Sequence, residues 1–141
     1  MGEGELREMA TRLHAASIRL LRTLRREDDQ GGLSAPRLSA LSVIVFAGPV
    51  SLAELAAAEQ VRPPTMSRIV DFLVRERLVT RDLAPDDRRS VRIAATDRGR
   101  RLMEAGRDRR IRALLARLEP LADSEKRALT RGVELLERIM R

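Results

Sequence analysis

Apolar residues at positions 6, 9, 10, 13, 16, 20, 21 and 24 recur at three- and four-residue spacing with arginines on the other side. This stripe predicts a long first helix, roughly 25 residues, running into the turn EDDQGG. A second helix is expected from near Ser34, with Pro36 in its first turn, through LSALSVIVFAG to the stop at Gly48-Pro49. So continuous an apolar run predicts the centre of the core rather than a surface helix, although SVIVF alone also reads as a buried strand. Ser51-Leu52-Ala53-Glu54 forms a capping box, so a short helix over about 51–59 should follow. Pro63 and Pro64 open the next helix, where missing N–H groups cost nothing, and Met66, Ile69, Val70, Leu73 and Val74 fall on one of its faces. Two helices joined by so short a turn cross steeply, and the second can project while the first braces it.

Beyond Leu78 the period changes. LVTRDL and VRIAA are short, partly β-branched segments on either side of APDDRRS, and predict an antiparallel hairpin. Thr96 reads as the N-cap of another long helix, and Asp123 or Ser124 as the cap of the last, where Leu129, Val133, Leu136, Ile139 and Met140 form a stripe. The predicted fold is mainly α with a small β-hairpin wing: a winged helix-turn-helix with flanking dimerisation helices. The expected divisions are residues 1–33 for the N-terminal dimerisation helix, 34–100 for the winged helix-turn-helix with its wing at 79–95, and 101–141 for the C-terminal dimerisation helices.

Composition narrows the chemistry. Phe46 and Phe72 are the only aromatics, so Leu, Ile, Val, Ala and Met must build the core, and methionines 9, 66, 103 and 140 are expected to fill it. The absence of cysteine removes disulfides and thiol redox switching, and no cofactor is expected. No Ser-His-Asp set, glycine-rich phosphate loop or H-x-x-x-H pair is present, which argues against an enzyme. No apolar stretch is long enough to span a membrane, and MGEGELREMATRL is too charged for a secretory signal, so a cytoplasmic protein is expected. The net charge of +7 is unevenly spread: residues 62–117 carry 16 basic and 8 acidic groups, while the flanking segments are near neutral. A basic centre suits a polyanion, because phosphate neutralisation supplies most sequence-independent affinity for nucleic acid.

Within that centre, the helix opened by Pro63-Pro64 places Thr65, Ser67 and Arg68 in its first turn, and Asp71, Phe72 and Arg75 also off the apolar face. A helix end entering the major groove offers free N–H groups to phosphate, and short hydroxyls and an arginine to base edges. Arg68 is the leading candidate for base contact. At the hairpin tip, Arg88 and Arg89 suit the minor groove, with Asp87 able to hold a guanidinium in line. A solvated surface helix and an exposed ion pair are the plainer readings of each segment alone.

The string PPTMSRIVDFLVRERLVTRDLAPDDRRSVRIAATDRGR resembles the winged-helix core of the MarR family of bacterial transcriptional regulators. The resemblance implies a sequence-specific regulator of double-stranded DNA, a repressor acting as a homodimer on a pseudo-palindromic operator. It assigns Pro64, Thr65, Ser67 and Arg68 to the major groove, Arg89 to the wing contact and Asp87 to its orientation; Arg75 and Arg88 complete the expected DNA-binding set. Phe72 stands where many members carry a basic residue, and Arg77 where they carry glycine, which bears on one phosphate contact and on how the helix ends. Such proteins often take a small aromatic or phenolic ligand between the dimerisation helices and the DNA-binding lobe. His14, the lone histidine, is the candidate ligand residue, a structural role being the commoner one for such a histidine. The alternative function is a winged-helix adaptor for protein contacts that lacks a specific operator.

Overall fold

A computed structural model describes residues 1–84 and 87–141, and only the backbone of residues 87–89. The expected order is present: α1 (Glu3–Asp28), a 3-10 turn (Asp29–Gly31), α2 (Ala35–Ala47), α3 (Leu52–Ala58), α4 (Pro63–Arg75), β1 (Val79–Ala84), β2 (Asp87–Ala95), α5 (Asp97–Leu118) and α6 (Asp123–Ile139). Among the described residues, no helix is long and apolar enough to cross a membrane.

Local signals explain most boundaries. The Ser51 hydroxyl accepts from the Glu54 N–H at 3.1 Å, and the Glu54 carboxylate accepts from the Ser51 N–H at 2.7 Å, starting α3. Gln60, with φ 54°, ends it: the Val61 N–H donates to the Ala56 carbonyl at 3.0 Å and the Gln60 N–H to that of Ala57 at 3.2 Å. The same device ends α4, with Arg77 at φ 58°, the Leu78 N–H donating to Leu73 at 2.9 Å and the Arg77 N–H to Val74 at 2.9 Å. The helix therefore ends in the left-handed turn that a glycine at position 77 would adopt more cheaply. SVIVF is helical, and α2 stops at Gly48 (φ 77°, ψ −164°), a conformation open essentially to glycine alone.

The hairpin pairs Val79 with Ala95 through Leu83 with Val91, and its register slips between Leu83 and Ala84. Val50 adds a bridge the sequence did not announce, exchanging both backbone bonds with Ile93 at 3.0 and 2.8 Å. Thr96 caps α5 as expected: its hydroxyl accepts from the Gly99 N–H at 3.0 Å and donates to the Arg77 carbonyl at 2.7 Å. Gly99 allows α5 to press on the end of α4, since a Cβ there would lie 2.2 Å from the Leu78 carbonyl oxygen. The cap of α6 departs from expectation. Asp123 is already helical, the cap position is Ala122, and its N–H is taken by the Glu125 carboxylate at 2.8 Å.

The core gathers Leu41 and Ile44 of α2, Leu55 of α3, Met66, Val70 and Leu73 of α4, and Leu78, Val79 and Ile93 around the hairpin. Full burial of each large side chain contributes about 1.5–3 kcal/mol. Two expectations are corrected here. Phe46, within the run read as core, is 76% exposed because α2 buries one side only. Met66 and Met103 are buried, but Met9 and Met140 are exposed in the single chain. The stripe of α6 is open too: Leu129, Val133, Leu136 and Ile139 are exposed, as are Leu13, Ile18 and Leu21 of α1.

Candidate nucleic-acid interface

The first turn of α4 faces outward. Pro64, Thr65 and Arg68 are exposed, as is Arg75 further along, while Met66, Val70 and Leu73 are fully buried beneath them. The two prolines hold the helix start without a side-chain cap, leaving the turn clear of its own capping bonds. Ser67 sits lower: it is half-buried and lines a shallow cleft of about 230 Å³ with Leu52, Arg81, Val91 and Ile93, between helix and wing. Phe72 is half-buried against the core, and the guanidinium carbon of Arg37 in α2 lies 3.5 Å from its ring centroid. The side chains of Asp87, Arg88 and Arg89 lie outside the described residues, as do Pro85 and Asp86.

Among the described residues, two ion pairs fix the wing to the helices. The Arg81 guanidinium of β1 meets the Asp71 carboxylate of α4 at 2.8 Å, and Arg92 of β2 meets Glu54 of α3 at 2.8 Å. All four groups are solvated, so the pairs add little to stability; their effect is to orient. Glu54 has two tasks, cap and strut. The Ser51 N–H first, then the serine side chain, hold its carboxyl below the usual range; burial opposes them, and Arg92 adds a smaller lowering. Sequence reasoning placed Asp71 on the polar side and missed these struts. Hairpin register combined with helix phase would have brought Arg81 toward α4, but Arg92 to Glu54 spans 38 positions and has no local signal.

Away from this face, α1, α2 and α5 enclose a cleft of about 710 Å³ lined by residues including Arg25, Asp28, Leu38, Met103 and Arg110. Arg110 pairs with Asp28 there, and Arg109 donates to the Glu27 carbonyl at 3.3 Å, tying α5 to the end of α1. His14 is exposed on α1 and is not among the residues lining this cleft. Between the end of α5 and α6 runs an open apolar groove of about 670 Å³, lined by Leu115, Leu118, Leu129 and Val133 among others. Among the described residues no cluster of His, Asp or Glu is arranged to hold a metal ion.

The sequence profile of the MarR family matches residues 33–91, a span that starts before α2 and ends inside β2. An HTH-type transcriptional regulator of Mycobacterium leprae is 36% identical over 124 residues, 88% of this chain and 86% of the relative. Among solved structures, a MarR family protein from Bacillus stearothermophilus superposes with a TM-score of 0.79 at 25% identity, covering 99% of this chain and 98% of the other. A mutant MepR of S. aureus, bound to an oligodeoxyribonucleotide, superposes with a TM-score of 0.74 at 18% identity, covering 94% and 98%. With its helix-turn-helix, its wing and this kinship, the chain belongs to the MarR family and is a DNA-binding transcriptional regulator, not an enzyme.

Proposed function

We propose that the protein is a cytoplasmic repressor that grips a pseudo-palindromic operator as a homodimer. The carrying observation is the exposed first turn of α4, presenting Thr65 and Arg68 over a fully buried apolar face beside a wing braced through Asp71 and Arg81. Pro64, Thr65, Ser67 and Arg68 occupy the major groove, with Arg68 donating to a base edge. Arg75 meets phosphate, and Arg88 and Arg89 reach the minor groove with Asp87 as the orienting acid. Residues 34–100 read DNA, and 1–33 and 101–141 join two copies. The DNA-bound fold neighbour supports the partner.

The exposed stripes of α1 and α6 and the groove beside α6 support the dimer, since a second copy would bury them together. Two copies of α4 about 34 Å apart would then read successive major grooves. The α1–α2–α5 cleft is the place for a small aromatic or phenolic ligand, where Leu38 and Met103 supply an apolar wall and Arg25 a cation, Arg110 there being already paired with Asp28. Such a ligand acts only through a preference for one spacing of the α4 pair; His14 is a contact for it only if the partner copy brings α1 to the cleft. Light scattering with a salt-dependent DNA titration tests the reading. A dimer of about 32 kDa, twice the 15.9 kDa chain, whose DNA affinity falls steeply with salt is expected. A monomer, or binding that is weak on every sequence, would instead favour an adaptor for protein contacts.

A further inference from the structure

Position 72 interrupts the charge of α4. Thr65, Arg68, Phe72 and Arg75 follow one another at three- and four-residue spacing and form a single stripe. Thr65, Arg68 and Arg75 are exposed, whereas Phe72 is apolar and half-buried. The gap is filled from another helix: Arg37, in the first turn of α2, lays its guanidinium carbon 3.5 Å from the Phe72 ring centroid.

We propose that Arg37, propped on Phe72, contacts a phosphodiester of the DNA backbone. The proposal rests on the reading that α4 enters the groove. A guanidinium stacked on a ring has one face covered, yet its N–H donors lie in the plane and stay free at the edge, the geometry that suits two phosphate oxygens. The ring holds the side chain in place, reducing the rotamer entropy lost on binding. Arg37 takes no part in the ion pairs found among the described residues. Along the helix axis the positions of Arg68, Phe72 and Arg75 are about 6 and 4.5 Å apart, so Arg37 turns two separated guanidinium groups into a rail of three. Arg37 is the contact and Phe72 the positioning residue.

The test compares the wild type, Arg37→Gln and the double variant Arg37→Gln with Phe72→Lys on operator and random duplexes across a salt series, with thermal unfolding confirming that each is folded. Arg37→Gln should bind both duplexes about tenfold more weakly, by a similar factor. Its plot of log affinity against log salt should lose about one unit of slope, the signature of one phosphate contact. Phe72→Lys, which returns a cation to the stripe directly, should restore that slope. An unchanged slope for Arg37→Gln, whether or not affinity falls, would overturn the proposal, as would a folded double variant without recovery. If the wild type itself binds without salt dependence, the DNA reading of α4 fails, and that result is distinct from the others.

Discussion

Helices α4 and α6 carry the same kind of pattern and meet different fates. Both are amphipathic, with apolar residues every three or four positions, yet Met66, Val70 and Leu73 of α4 are wholly shielded while Ile139 of α6 remains 67% exposed. α4 has α2, α3 and β1 to lie against; α6 has an open groove at the end of α5. Periodicity reports that a helix has an apolar face and leaves its occupant open. In α4 the shielded side leaves the other facing solvent, the face proposed above to meet DNA. In α6 the unshielded side is what a second copy would cover.

The contrast can be broken most forcefully inside α4. Leu73→Ala should destabilise the fold by about 2–5 kcal/mol in urea denaturation, through lost burial and a cavity that its neighbours only partly close. That cost should not depend on protein concentration. Val133→Asp in α6 should instead shift light scattering toward monomer and make the melting temperature insensitive to concentration, because it places a charge on the face proposed to join the copies. If Val133→Asp stays dimeric, the α6 stripe does not join the copies. Smaller effects sharpen the picture of how α4 is held. Arg77→Gly should stabilise by about 1 kcal/mol, relieving a non-glycine residue at φ 58°; a loss of stability would mean that the arginine contributes more than the turn costs. Smallest is the acid response of the Glu54 strut. Its carboxyl is depressed in the folded chain, so its contribution is present above the unfolded value, ~4.3, and is lost as pH falls through the lower folded one. Glu54→Gln should flatten the stability profile in that acidic window and leave the neutral range little changed in slope.

The order of elements was legible because its signals are local. Pro63-Pro64, the Ser51–Glu54 box and the Thr96 cap each act within a few residues, and the structure places a helix start at all three. What escaped depends on tertiary neighbours. The run around Phe46 is apolar on every side, so it offers no phase to say which residues face inward. Asp123 and Ser124 are better caps than Ala122 by side chain, but Glu125 reaches back from the third helical position and secures the start there. The candidate site divides in the same way. Thr65, Arg68 and Arg75 followed from helix phase alone. Asp71 with Arg81, and Arg37 over Phe72, are contacts between elements, set by a packing that no window of sequence contains.

The most direct measurement is a paired selection of bound sites from a random DNA pool, with the wild type and with Arg68→Ala. The wild type should yield two inverted half-sites about 10 base pairs apart, and Arg68→Ala should lose preference at one or two positions in each half, a cost of about 1–3 kcal/mol per site read. Recovery of the same motif by both proteins, or of a single unpaired half-site, would contradict a reading head carried on α4 and used in duplicate.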